Sequence, residues 1–407
     1  FIVVPALLFR MEQPVAQLES TDLLIGGERR PASDGATLTS KNPATAEPLA
    51  EVPSASEADV DDAVSAARKA FHEWRDTAPD ERGRLVQRVA AEIRAHKEEL
   101  AHLESADQGK PLSQAKSDME GAARYFEYYA GAADKIEGKS IPVGSDQVDY
   151  TVREPYGVSG QITPWNFPGN LFARGVAPAL VAGNAVVVKS AEQTPLMAFA
   201  AVQAFHEAGV PGDVLHLIPG RGEDVGPPLI NHEALAGVAF TGGTDTAKLI
   251  NQQLANRPGP ILPLIAETGG LNAMVVDSTA LPEHAIRDIL QSAFQSAGQR
   301  CSALRCLYVQ NDVKDTVLTM LRGAMDELRL GDPWHLSTDV GPVIDADARR
   351  AIVYHVETAR AEGRVLHDLA APEGGTFVAP TLIEIDSIAE LEREVFLSLL
   401  GEEKTQA

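Results

Sequence analysis

The chain has 407 residues, 44% of them hydrophobic and 23% charged, which is enough for two substantial domains with a well-buried core. A net charge of -23 disfavours nucleic acid and anionic membranes as partners, because both are polyanions. The acidic surplus is typical of a solvated surface, and adaptation to high salt is the alternative interpretation. With only two cysteines there is no disulfide framework, so a reducing, cytoplasmic location is expected.

The first half of the chain begins with an apolar tail and continues into short strands and long helices. Residues 1–10 are too short to cross a bilayer and lack the charged start of a signal peptide, so Met11 is a plausible natural start. Residues 21–53 predict short strands and turns. A capping box at 56–59 predicts a helix, and further helices are predicted at 79–106 and 112–135. Residues 140–154 predict a hairpin.

From Gly157 onward, strands and helices alternate. Strands are predicted at 157–162, 185–189, 214–218, 236–240 and 262–267. This alternation favours an α/β fold with a Rossmann-like parallel sheet that is covered on both faces and binds ligands at the carboxyl ends of its strands. A second α/β region begins near Thr268, with helices at 281–297, 312–328 and 345–362. We therefore expect a nucleotide-binding domain at 11–267 and a catalytic domain at 268–396.

Three side chains offer the chemistry of a covalent mechanism. Cys301 lies three residues after Gly298 and near Arg300 and Arg305, whose charges favour a thiolate, although a lone cysteine is more often an inert buried residue. Glu267 ends a strand on a glycine pair, where a buried carboxylate can act as a general base. Asn166 lies between ring side chains in a rigid loop and could stabilise an oxyanion. Cys306 is expected to be packing, and its spacing from Cys301 matches no common zinc pattern, so no metal is expected.

At this point the sequence resembles the aldehyde dehydrogenase superfamily. The motifs are PWNFP at 164–168, VVVKSAEQTP at 186–195, FTGGT at 240–244, ETGG at 267–270, GQRCS at 298–302 and EREVF at 392–396. From about Ala191 onward the chain looks especially like the aldehyde dehydrogenase module of bifunctional proline-utilisation proteins, whereas the front half looks more generic. A hybrid chain is one explanation of this mixture.

The resemblance implies NAD as the cofactor, with NADP less favoured because Glu192 would repel a 2'-phosphate. Lys189 and Glu192 would contact the adenosine ribose, and the segment 240–243 would hold the pyrophosphate through backbone amides and a helix N-terminus. The glycines of 220–226 match a dinucleotide fingerprint weakly, and an ordinary turn is the alternative. The remaining cofactor contacts are expected from Thr163, Pro164, Trp165, Gly222, Gly226, Phe240, Thr241, Gly242, Gly243, Glu394 and Phe396.

The implied reaction is oxidation of an aldehyde to an acid through a Cys301 thioester. Glutamate 5-semialdehyde is the expected substrate, with succinate semialdehyde or another aldehyde as the alternative. Phe167 and Ser302 would face the substrate, although a small polar spacer is an equal interpretation of Ser302. The family's pattern would continue beyond Phe396, whereas 397–407 is an atypical tail. We therefore expect a truncated catalytic domain of low stability, with an inactive NAD-binding homologue as the other alternative. The hairpin and the missing segment are the parts through which the family assembles homo-oligomers.

Overall fold

The computed structural model describes residue 18 and residues 20–387. The tails 1–10 and 397–407, together with Glu394 and Phe396, lie outside the described residues. None of the helices within the described range combines the length and apolar character that a bilayer crossing requires.

Short strands and four long helices form the front of the chain. The elements are β1 (Leu23–Ile25), β2 (Glu28–Arg30), β3 (Thr37–Lys41), β4 (Pro48–Pro53), α1 (Glu57–Asp76), α2 (Pro79–Ala95), α3 (Lys97–Gln108) and α4 (Leu112–Ala130). The predicted capping box is confirmed, because Ser56 and Asp59 exchange side-chain and backbone hydrogen bonds. The single helix expected at 79–106 is wrong: α2 ends and α3 begins at His96, whose backbone is not helical.

The predicted hairpin is present as β5 (Ser140–Ile141) paired antiparallel with β6 (Asp149–Tyr150). Its side chains are exposed, including Val148 at 87%. Its role in assembly stays a prediction.

The central sheet has seven strands in the order β11-β10-β7-β8-β9-β1-β2. Its parallel strands and their helices are β7 (Val158–Ile162), α5 (Pro168–Val181), β8 (Ala185–Lys189), α6 (Leu196–Glu207), β9 (Leu215–Leu217), α7 (Gly222–Asn231), β10 (Leu235–Thr241), α8 (Thr244–Asn256) and β11 (Leu264–Glu267). The α/β fold is therefore confirmed. The sheet is mixed, because β1 joins β9 antiparallel and brings β2 with it.

Strand β8 shows why both faces of this sheet are covered. Successive strand residues point to opposite faces. Val186 and Val188 pack in the cluster formed with α2, α4, α5 and α6, whereas Val187 packs in the cluster formed with α1, α7 and α8. An uninterrupted apolar run is what a strand buried on both faces requires.

The rear of the chain forms a second, smaller α/β region. Its elements are β12 (Asn272–Val276), α9 (Pro282–Phe294), a 3₁₀ turn (Gln295–Gly298), β13 (Leu304–Val309), α10 (Asn311–Met325), α11 (Ala346–Ala361), β14 (Val365–Asp368) and β15 (Thr381–Ile383). Parallel strands β12 and β13 share a core with α9 and α10. Cys306, on β13, is 5% exposed, which confirms it as packing. The domain boundary at 267 coincides with the end of β11 and stays a prediction.

Candidate active site

The parallel strands bring four candidate positions to one edge of the sheet. Ile162 pairs with Lys189, and Thr241 pairs with Glu267, so both pairs of strands end at the same level. Thr163 continues β7 and donates its backbone N–H to the Lys189 carbonyl at 3.1 Å. This edge is the carboxyl edge, where open α/β sheets bind ligands.

The loop at 163–168, which we call the amide loop, carries Asn166. The side chain of Asn166 is 5% exposed, and its Nδ2 donates to the carbonyl oxygen of Gln299 at 3.0 Å. This contact joins the amide loop to a segment 133 residues away, two positions before Cys301. An amide nitrogen carries two hydrogens, and this bond uses one of them. This bond does not use the second hydrogen, and its role at an oxyanion stays a prediction.

Two neighbours of Asn166 are fixed by packing. Trp165 is buried in a small cluster with Ala191 and Ile344. Phe167 precedes α5 and lies under the ammonium group of Lys110, which is 4.2 Å from the ring centroid. Packing of Trp165 on one side of Asn166 and of Phe167 on the other therefore adds to the rigidity that is predicted for the loop.

Cys301 closes the segment that we call the thiol loop, residues 296–301. Its thiol is free and half-buried. Ser296, Ala297 and Gly298 all have positive φ, at 54°, 53° and 72°. For residues with a β-carbon this conformation costs about 1–2 kcal/mol each, so contacts elsewhere must hold it.

Side chains near Cys301 bind backbone carbonyls of the loop. Asn272 donates to the carbonyl of Cys301 at 2.6 Å, and Arg305 donates to that of Gly298 at 2.8 Å. Arg300 donates to the carbonyl of Gln291, in the last turn of α9, at 2.7 Å. The two arginines expected beside the thiol are therefore present, with their guanidinium groups turned to carbonyl oxygens.

Glu267 lies at the sheet edge but is not buried, so that part of the prediction is wrong. Its side chain is 51% exposed and pairs with Arg174 Nη2 at 3.3 Å. Among the strands that the structure describes, β11 lies at the edge of the sheet and pairs with β10 alone, which leaves the side chain of Glu267 accessible. Its backbone is held by Gly242, whose N–H donates to the Glu267 carbonyl at 3.0 Å.

The expected ribose contacts, Lys189 and Glu192, form an ion pair. Lys189 is 3% exposed, and its Nζ donates to Glu192 Oε2 at 2.8 Å. A solvated cap, the alternative for a lysine at a strand end, is excluded by this burial. The pair offers a cation and a carboxylate, which are the groups that ribose hydroxyls can bind.

The predicted pyrophosphate segment has the geometry of an anion site. Gly243 is the N-cap of α8 and supplies no side-chain cap, so the first turn presents backbone N–H groups. Gly242 needs to be glycine, because a β-carbon there would clash with the ring of Phe240. Phe240 itself is 4% exposed, and its ring packs in the core directly against Gly242. The donor set fits a dinucleotide.

Other predicted residues lie in less defined positions. Gly222 and Gly226 are helical, at the start and in the first turns of α7, so the turn interpretation is wrong for them. Ser302 is exposed beside the half-buried Cys301. Glu394 and Phe396 are not described.

One group of possible metal ligands lies among the described helices, away from the strand ends. Atoms of Glu92, His96 and Glu207 fall within 4.8 Å of one another. A hydrogen bond to the Glu99 carboxylate raises the pKa of His96. Nδ1 of His96 already contacts Glu99 Oε2 at 2.9 Å, and the expectation of no metal stays a prediction.

Sequence reasoning missed three residues of the site. Gln299 is fully buried, and its Oε1 accepts from the N–H of Ile344 at 2.7 Å. Arg174, on α5, reaches Glu267, and Gln114, on α4, binds Ser296. Only Gln299 carried a signal, since it lies within the GQRCS motif; the other two are polar positions on amphipathic helices.

Comparison with known proteins assigns the family. The model of the aldehyde dehydrogenase family matches residues 30–398. Bifunctional protein PutA of Klebsiella aerogenes is 43% identical over 95% of this chain, which spans only 28% of that protein's length. Human retinal dehydrogenase 2 is 36% identical over 94% of this chain and 75% of its own.

A solved structure agrees with these sequence matches. Betaine aldehyde dehydrogenase of Staphylococcus aureus, in complex with NAD+, superposes with a TM-score of 0.90 at 33% identity, over 94% of this chain and 77% of that one. The family match covers most of the chain and contains the amide loop, the thiol loop and the strand ends. The chain therefore belongs to the aldehyde dehydrogenase family.

Proposed function

We propose that this chain oxidises an aldehyde to a carboxylic acid through a thioester on Cys301, with NAD as the cofactor. The observation that carries the proposal is the bond from Asn166 to the carbonyl of Gln299. This bond joins an amide donor to the loop that carries Cys301. The thiol of Cys301 is half-buried, whereas that of Cys306 is buried. This contact supports an arrangement in which the oxyanion donor and the thiol act on the same aldehyde.

In the first step the Cys301 thiolate attacks the aldehyde carbon and forms a hemithioacetal. The oxygen gains negative charge, which the second N–H of Asn166 and the backbone N–H of Cys301 stabilise. NAD, when bound, accepts the hydride that leaves this carbon. Lys189, Glu192 and the N-terminus of α8 would hold it, at the same sheet edge as Glu267. The carbonyl then re-forms as a thioester on Cys301.

In the second step Glu267 takes a proton from water, and the resulting hydroxide attacks the thioester carbon. The C–S bond breaks, and the acid and the free thiolate are released. Exposure of Glu267 gives it direct access to water. Arg174, 3.3 Å away, keeps the carboxylate in place on the other side.

The substrate proposed is glutamate 5-semialdehyde, which gives glutamate; succinate semialdehyde is the second candidate. The similarity to PutA supports the first. Arg174 supports both, because a half-exposed guanidinium beside Glu267 favours aldehydes that carry a carboxylate. Neutral aldehydes of the same length should show a higher KM.

The test follows NADH absorbance with both semialdehydes and with pentanal, using the full chain. Replacing Cys301→Ala should lower turnover at least about 10³-fold, since the nucleophile is lost, while NAD binding stays within about twofold. Cys306→Ala is the matched control and should keep turnover, because that thiol is packed in the core.

Two results would count against the proposal. Turnover retained in Cys301→Ala would remove the thioester mechanism. NAD binding without any turnover in the unaltered chain would favour an inactive NAD-binding homologue instead.

A further inference from the structure

Gln114 belongs to none of the proposed catalytic or cofactor-binding groups, yet its side chain binds the thiol loop directly. We propose that Gln114 is a positioning residue: it holds residues 296–301 in the shape that presents Cys301 to the aldehyde. This inference rests on the proposed function and adds a residue to it.

The contact is a double hydrogen bond between distant parts of the chain. Gln114 Oε1 accepts from the backbone N–H of Ser296 at 2.8 Å and from its hydroxyl at 2.9 Å. The two residues are 182 positions apart. Ser296 is 3% exposed, so water could not take the place of Gln114 Oε1 as the acceptor for these two donors if Gln114 were replaced. Gln114 Nε2 also approaches the carbonyl of Asp339, at 3.4 Å.

The part of the loop that Gln114 binds is the part whose backbone is least favourable. Ser296, Ala297 and Gly298 follow one another in the left-handed region, and two of them carry a β-carbon. Such a conformation persists only where the surroundings impose it. If Ser296 relaxes, the chain direction changes three residues before Gln299 and five before Cys301. A hydrogen bond at Ser296 therefore controls where the thiol points.

The helix that carries Gln114 is a rigid reference for both loops. On α4, Ala115 and Met119 are buried in the largest core cluster. Met119 also packs against Gly169, in the first turn of α5, so closely that a β-carbon on this glycine would clash with it. Helix α5 begins directly after Asn166 and Phe167. One helix thus fixes the position of the oxyanion donor by packing and that of the nucleophile by hydrogen bonding.

The test compares two replacements of nearly equal size. Gln114→Met removes the acceptor, whereas Gln114→Glu keeps an acceptor oxygen. Gln252→Met, on the exposed face of α8, is the matched control. Steady-state kinetics with glutamate 5-semialdehyde give kcat and KM. Alkylation by iodoacetamide across pH 6–9 reports the environment of the thiol without turnover.

Trypsin makes the alkylation measurement specific for each thiol. Cleavage after Arg300 and Arg305 places Cys301 in peptide 301–305 and Cys306 in peptide 306–314, so mass spectrometry follows them separately. Cys306, in the core, is the internal reference within each sample.

Gln114→Met should lower kcat about 10- to 100-fold and leave KM within about threefold, because misplacing a reacting atom impairs chemistry and not binding. The alkylation rate of Cys301 should change by at least about threefold, and its pH profile should move, while that of Cys306 stays constant. Gln114→Glu should restore both readouts to within about threefold of the unaltered chain.

Unaltered kcat and alkylation in Gln114→Met would overturn the proposal. So would an equal loss in Gln114→Glu, which would show that the side chain acts through packing. If Gln114→Met does not fold, Ser296→Ala decides: it removes only the hydroxyl donor, and a loss in kcat of about 3- to 10-fold supports the proposal while none refutes it. Should the unaltered chain lack turnover, the proposed function fails, and the alkylation profile alone still decides the role of Gln114.

Discussion

The amide loop and the thiol loop meet at one hydrogen bond but are held in place by different means. The amide loop contains Pro164 and Pro168, whose rings fix φ, and α5 begins at its last residue, Pro168. The thiol loop contains no proline and passes through three left-handed residues. Its shape depends on Gln114 and Asn166, which lie far away in the sequence. The first loop is stiffened by its own prolines in addition to packing, whereas the second has no such local restraint and is shaped by the rest of the molecule.

This difference has a consequence for the chemistry. The oxyanion donor lies on the stiff loop, and the nucleophile lies on the loop that tertiary contacts hold. A change in packing far from the site would therefore move Cys301 more than Asn166. Substitutions in the two loops should separate these behaviours.

The largest effect is expected where the two loops touch. Asn166→Ala removes the oxyanion donor and the anchor of the Gln299 carbonyl together, so kcat should fall about 10²- to 10³-fold. NAD binding should stay within about twofold, which isothermal titration would show. Asn251→Ala, at an exposed position on α8, is the control. A kcat within threefold of that of the unaltered chain would mean that Asn166 and its bond to Gln299 do not contribute to catalysis.

A smaller effect, on the pH dependence of stability, is expected at Glu104, whose partner Lys110 packs against Phe167 of the amide loop. Glu104 is fully buried, binds Lys110 at 3.0 Å and shares that ammonium with Asp118. Burial raises the pKa of Glu104 from 4.5 to about 7. The stability that its protonated form contributes is complete below pH 4.5 and is lost as the pH rises through 7.

From pH 5.5 to pH 8 the unaltered chain should therefore lose about 1–2 kcal/mol of unfolding free energy relative to Glu104→Gln, whose amide does not titrate. Urea unfolding at the two pH values measures this difference. Burial also raises the pKa of Asp107 to about 7, and the charge of Glu104 adds the smallest part of that shift, so the difference between the two proteins reports mainly Glu104. Parallel pH profiles would contradict the prediction.

The smallest effect is expected from loosening the stiff loop. Pro168→Ala should cost about 1 kcal/mol of unfolding free energy, mainly because the unfolded chain gains freedom, and kcat should stay within about threefold. Helix α5 and the packing of Trp165 and Phe167 still hold Asn166. A fall in kcat as large as that of Gln114→Met would show that the two loops do not differ in the way described.

Much of the fold followed from local patterns. The apolar run 185–189 and its neighbours alternate with helices, which was sufficient to predict the sheet and the edge at which ligands would lie. The break at His96 could not be seen, since residues on both sides of it have helical patterns. Nor could the antiparallel addition of β1 and β2, because pairing between strands far apart in the chain leaves little local trace.

For the site, the sequence by itself determined which groups are present: a thiol at Cys301, an amide at Asn166, a carboxylate at Glu267 and a glycine at Gly242 where the chain must pass a ring. Only the tertiary structure decided how they are held. It left Glu267 exposed, because β11 is an edge strand among the described residues, and it brought Gln114, Arg174 and Gln299 into contact with the loops and the strand end of the candidate site. The physical reason is that residue type and spacing encode chemistry and local geometry, whereas burial and long-range hydrogen bonds exist only once distant segments are packed together.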